Sequence, residues 1–149
     1  MKIEDEIKQR EFRNIYQKAA INLIFTTNWL HDKQRTFFDK YDITQKQYNV
    51  LRILRGQHPT TISTAEIRLR MLDKSSDTSR IVDRLDIQGL ITKKVCPTDK
   101  RLVDVGISVK GLKLLETIES GVNEIDNILS VLSIKEATEL SKLLDKIRG

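Results

Sequence analysis

Lys74, Ser75, Ser76, Thr78, Ser79, Arg80 and Arg84 crowd one stretch of this 149-residue chain, and Lys94, Asp99, Lys100 and Arg101 follow a little further on. Hydroxyls can donate or accept at several positions of a base edge. A guanidinium offers two parallel donors that match O6 and N7 of guanine, and an ammonium neutralises phosphate. Nothing in the stretch suits bond-breaking chemistry. Strings of the form G-x-x-x-x-G-K, G-x-G-x-x-G, H-E-x-x-H and G-x-S-x-G are absent, and neither His31 nor His58 has an evident nucleophile partner, so no catalytic residue and no enzyme is expected. One cysteine, Cys96, and two histidines are too few for an internal zinc site, and a lone thiol closes no internal disulfide. No metal and no cofactor is therefore expected.

The charge is unevenly spread. Residues 44–101 hold twelve Lys and Arg against six Asp and Glu, a net of +6, while the flanks together hold fourteen bases and fifteen acids. A cationic centre between near-neutral arms suits a phosphate-binding module carried in a scaffold, and a solvated basic face would give the same count. With 39% hydrophobic and 32% charged residues, two Pro and six Gly, the chain can build one helix-rich domain over residues 1–149. No apolar run nears the roughly 18 residues of a membrane span, and MKIEDEIKQREFRN is charged where a signal peptide would be apolar. A soluble, cytoplasmic protein is expected. Eight aromatic residues, none in the strand-like stretches, leave no stacking platform for RNA.

The elements that must position the polar stretch follow from spacing. Phe12, Ile15, Tyr16, Ala19, Leu23, Ile24, Thr27 and Leu30 mark a long amphipathic first helix. Thr44 with Gln47 forms a capping-box pattern that opens a second helix through Tyr48, Leu51 and Leu54, ending near Gly56 and Pro59. Ser63 with Glu66 opens a short helix through Ile67 and Met71. Leu72-Asp73-Lys74 breaks the pattern, and Ser75 or Ser76 can cap the next helix, with Thr78, Ile81, Val82 and Leu85 inward and Gly89 as a left-handed stop. Two short helices around a tight turn make a helix-turn-helix. Residues 91–96 and 102–107 read as two strands around Pro97-Thr98-Asp99-Lys100-Arg101, a hairpin that adds a wing. Ser108 then caps a helix whose stripe from Leu112 through Leu115, Ile118, Val122 and Ile125 to Leu129 runs about five turns. Ser133 with Glu136 opens the last helix, carrying Ala137, Leu140, Leu144 and Ile147. The expected fold class is mainly α with a small β-hairpin wing.

This order of elements, together with Pro97-Thr98-Asp99-Lys100-Arg101-Leu102-Val103, Ile107-Ser108-Val109-Lys110-Gly111 and Thr44-Gln45-Lys46-Gln47-Tyr48-Asn49-Val50-Leu51, resembles the multiple antibiotic resistance regulator (MarR) family of transcription factors. The resemblance implies a homodimer that binds double-stranded DNA, usually as a repressor. Its dimerisation helices would lie near residues 5–36 and 109–148, around a winged helix DNA-binding lobe at residues 44–107. It also implies a small aromatic or phenolic effector held between lobe and dimer helices. Trp29, His31, Arg35, Phe37, Phe38 and Tyr48 could wall that site, although aromatics at helical spacing also make ordinary core.

On the DNA-binding reading, Ser76, Ser79 and Arg80 are expected to contact bases. Ser75 and Arg84 would contact bases or phosphates, and Lys74 and Thr78 lie beside them. A purely structural reading has the serines capping and Arg80 paired with Asp77 or Asp83. Arg101 would enter the minor groove, a role the resemblance supports, with Asp99 orienting its fork; Lys93, Lys94 and Lys100 would neutralise phosphates. A dimer would set two recognition helices about 34 Å apart on a pseudo-twofold operator. The competing class is a winged-helix protein-interaction adaptor without base readout, against which Arg80, Arg84 and Arg101 argue. Cys96 reads as an inert strand thiol, although Lys93, Lys94 and Arg101 nearby would lower its pKa.

Overall fold

Helix starts follow the cap chemistry in the sequence. The computed structural model describes residues 1–99 and 102–149. A one-turn helix α1 (Ile3–Glu6) precedes the long α2 (Ile15–Asp39), which Asn14 caps by accepting from the Gln17 N–H. Asp42, at φ 56°, turns the chain into α3 (Gln45–Gln57), where Thr44 and Gln47 form the full reciprocal box. Strand β1 (Ile62–Ser63) leads into α4 (Thr64–Arg70), and α5 (Thr78–Ile87) ends at Gly89, whose φ of +70° suits a residue without Cβ. Strands β2 (Ile91–Val95) and β3 (Val103–Ile107) follow. Then come α6 (Val109–Glu119), a helical turn α7 (Asn123–Asp126) running into a 3-10 turn at Asn127–Leu129, and α8 (Ile134–Arg148) with its Ser133–Glu136 box.

The sheet has the order β1-β3-β2, antiparallel throughout, with Ile62 opposite Val105, Ile91 opposite Ile107 and Val95 opposite Val103. The hairpin is where the alternation places it. Strand β1 is not foreshadowed in the sequence: two residues carry no periodic signal, and Ser63 both pairs with Asp104 and caps α4. The core gathers Val50, Leu51 and Leu54 of α3, Ile67, Val82 and Leu85 of the two short helices with Met71 just past the first, Val105 and Ile107 of the sheet, and Leu115 and Ile118 of α6. Gly111 lets α6 pack close against the chain that leads into β2: a Cβ there would sit 2.2 Å from the Leu90 carbonyl oxygen. An Arg55–Glu119 ion pair at 2.5 Å ties α3 to α6.

Two expectations need correction. The five-turn helix after Ser108 stops at Glu119, because the chain tightens there: Gly121 and Val122 bond back to the carbonyls of Ile118 and Glu119. Gly121 also admits the Tyr41 hydroxyl, which would lie 2.9 Å from a Cβ at that position. Neither Ser75 nor Ser76 caps α5. Asp77 does, its carboxylate accepting from the Arg80 N–H at 3.1 Å.

The lobe is well buried, but the terminal helices are not. Helix α8 buries no residue, and α2 buries only Phe37 and Phe38 near its end. Tyr16, Leu23, Leu140, Leu143 and Ile147 are exposed and face a trough of about 660 Å³ between α2 and α8. No helix among the described residues is long and apolar enough to cross a membrane.

Candidate nucleic-acid interface

The α4–α5 pair presents its polar face as a consequence of burial on the other side. Val82 and Leu85 point into the core, so Ser79, Arg80, Asp83 and Arg84 are turned to solvent. The structural pairing weighed for Arg80 does not form. Asp77 is occupied by the helix N-terminus, and Asp83 accepts from Lys93 Nζ on β2, which leaves the guanidinium groups of Arg80 and Arg84 without an ion pair among the described residues. Lys93, expected to neutralise phosphate, is thereby committed to the protein itself, while Lys94 stays exposed.

The turn before α5 carries the larger difference from expectation. Ser76 and Thr78 are 6% and 4% exposed, so their side chains face inward and do not join the outward row. Neither hydroxyl has a hydrogen-bond partner among the described residues. Ser75 is exposed but donates its hydroxyl proton to Asp73. That carboxylate also accepts from the Ser75 N–H at 2.9 Å and pairs with Lys46 at 2.8 Å. Lys46 first, then the Ser75 hydroxyl and N–H, hold Asp73 far below the usual carboxylate range. Asn49 accepts from the Leu72 N–H at 3.0 Å, and Lys74 Nζ reaches the Leu69 carbonyl. Lys46, Asn49 and Asp73 are not among the residues that the sequence marks for DNA contact. Helical spacing shows Asp73 only as a breaker, although a short acid two residues before a serine is the pattern of a side-chain-closed turn.

The residues expected to wall an effector site separate into three places. His31 and Arg35 share a cleft of about 420 Å³ with Ile43, Lys46, Ile81 and Arg84, between α2, the start of α3 and α5. Phe38 and Tyr48 instead belong to the aromatic core, their rings 4.6 Å apart, beside a different hollow of about 330 Å³. Phe37 is likewise core, edge-on to Phe38 at 5.2 Å. Trp29 lines a third hollow, of about 260 Å³, together with Phe25 and with Met1 and Ile3 of the N-terminal segment. Among the described residues no group of three His, Cys, Asp or Glu is placed to hold a metal ion.

A model described as MarR family matches residues 41–102, which contain α3 through β2. The HTH-type transcriptional regulator PecS of Dickeya dadantii is 31% identical over 74% of this chain and 68% of its own length. A MarR transcription factor from Planctomyces limnophilus is 32% identical in its crystal structure, covering 91% of this chain and 98% of that one with a TM-score of 0.71. The chain belongs to the MarR family. It is a DNA-binding transcriptional regulator with a winged helix fold, and not an enzyme. A mutant MarR from E. coli, complexed with operator DNA, shares the fold at a TM-score of 0.76, covering 93% of this chain and 99% of that one at 22% identity.

In MarR terms β2 and β3 are the wing. Lys100 and Arg101, expected at its tip, lie outside the described residues. Asp99 precedes them and makes contacts of its own. Cys96 is half-buried, its sulfur 3.2 Å from the Thr98 hydroxyl. Its pKa is lowered by that hydroxyl and by the backbone of Asp99 and Thr98, a different cause from the expected lysines.

Proposed function

We propose that this MarR-family chain is a homodimeric, sequence-specific repressor that reads a pseudo-palindromic operator and is released by a small aromatic or phenolic acid. The observation that carries the reading is the outward row on α5, with Ser79, Arg80 and Arg84 exposed and neither guanidinium in an ion pair among the described residues. Ser79 and Arg80 read bases in the major groove, and Arg84 contacts a base or a phosphate. Lys74, Lys94 and Lys100 contribute phosphate contacts, and Arg101, oriented by Asp99, enters the minor groove. The apolar trough between α2 and α8 supports dimerisation through the terminal helices. Occupancy of promoter DNA by such a dimer excludes other proteins, which gives repression, and the cytoplasm is where that DNA lies.

Selection from a randomised duplex library is the test. The winning duplex is expected to be a twofold sequence bound about 10³-fold or more tighter than a scrambled one at 150 mM salt. Equal affinity for the two overturns the reading, because only base contacts distinguish them.

The cleft holding His31, Arg35, Lys46 and Arg84 sets basic groups beside apolar Ile43 and Ile81, with Asp39 on its wall and Asp32 paired to Arg35 at 3.1 Å, and its volume suits a small aromatic carboxylate that exchanges with Asp32 for that guanidinium. Salicylate, used as the probe, is expected to release the selected duplex from the wild type and to do so at least 10-fold less readily from Arg35→Ala. Equal release from both chains removes the cleft from consideration.

A further inference from the structure

We propose that Asp73 determines what Ser75 reads: by holding the Ser75 hydroxyl proton it leaves that residue only as an acceptor beside α5, so that Ser75 selects adenine or cytosine on the strand it faces. This rests on the reading of α5 and its leading turn as the base-contacting surface. The geometry is specific. Asp73 Oδ1 stands 2.5 Å from the Ser75 Oγ and 2.9 Å from its backbone nitrogen, while Oδ2 meets Lys46 Nζ at 2.8 Å. A carboxylate only accepts, so the hydroxyl proton lies on the line between the two oxygens. A hydrogen bond to an ionised acceptor is stronger than one to a neutral base edge, and the proton is not surrendered to DNA.

What remains to Ser75 is its lone pairs. In the major groove these find a donor at adenine N6 or cytosine N4. Guanine and thymine present acceptors at the corresponding edge, as does a phosphate oxygen, and all three would need the proton that Asp73 holds. Ser75 thus changes from a group able to contact base or phosphate into one with a single polarity. Lys46 and Asn49 keep the turn in place, so the acceptor is presented from a fixed position.

The wild type, Asp73→Ala, Asp73→Asn, Ser75→Ala and Lys46→Met are each titrated with the duplex selected by the wild type and with its single-base-pair variants. The wild type is expected to prefer A or C over G or T at one position of each half-site by about 5- to 10-fold. Asp73→Ala frees the proton and flattens that preference while leaving the other positions unchanged. Asp73→Asn, whose amide oxygen still accepts the proton but without the charge that outcompetes a base edge, keeps only part of it. Lys46→Met breaks the ion pair but not the Ser75 contact, and keeps the preference; a merely structural clamp would make Lys46→Met and Asp73→Ala behave alike. Ser75→Ala leaves the Lys46–Asp73 pair untouched and must lose the same preference, which carries the test even if Asp73→Ala folds poorly. An unchanged profile in Asp73→Ala or Ser75→Ala overturns the proposal while base reading stands. A wild type that selects no sequence removes base reading itself.

Discussion

Leu23→Asp combined with Leu140→Asp is expected to turn the proposed homodimer into a 17.3 kDa monomer and to cut affinity for its selected operator by on the order of 10³-fold. Both side chains are about two-fifths exposed within one chain, at 41% and 40%, and face the trough between α2 and α8. Since neither is core to the single chain, the substitutions should spare its fold. Two carboxylates facing one another across a desolvated dimer seam would be costly, because a buried ion without a partner loses its hydration. The DNA effect is larger than any single contact because the two half-sites are joined: once one lobe is seated, the other binds at a high effective concentration. Sedimentation equilibrium and a titration of the selected duplex check the two parts. A double variant that stays dimeric refutes the interface, and a monomer that binds with wild-type affinity refutes the dimer's role in reading.

The lobe is legible from the sequence because its signals are local. Thr44, Ser63, Ser108 and Ser133 each sit directly before the helix they cap, and Gly89 stands where the left-handed turn is needed. What the sequence hides is set by partners far along the chain. Strand β1 exists because β3 offers it an edge, and the end of α6 coincides with the place where Tyr41 approaches Gly121. The α5 cap is hidden for another reason: three adjacent residues, Ser75, Ser76 and Asp77, can all cap, and the choice falls to Asp77 because Asp73 takes the Ser75 hydroxyl and burial takes Ser76.

The expected effector cluster separates for a reason that helix geometry already contains. At about 100° per residue, His31 and Arg35 lie within about 40° of each other around α2, whereas Trp29 and Phe38 fall on opposite sides. Closeness in sequence therefore groups residues that the helix separates. His31 and Arg35 stay together in the cleft, and Phe38 goes to the core.

The same face-sorting makes Arg80 the residue whose removal should change base reading most. Arg80 and Arg84 are one turn apart, but Arg84 also lines the cleft, while Arg80 does not line it and has no ion pair among the described residues. Arg80→Ala is expected to cost about 1–3 kcal/mol for each protomer, so about 2–6 kcal/mol for a dimer on two half-sites, which is about 30-fold to more than 10⁴-fold in affinity for the selected duplex. Non-specific binding should weaken far less, so the ratio between the two collapses. Lys94→Ala provides the contrast: without its ammonium each protomer neutralises one phosphate fewer, so all duplexes bind more weakly alike and the salt dependence becomes shallower by about one unit per phosphate. Titrations of selected and scrambled duplexes across a salt series separate the two behaviours. If Arg80→Ala lowered both affinities by the same factor and made the salt slope shallower, Arg80 would be a phosphate anchor, and the base-reading centre of α5 would have to move to Ser79 and Arg84.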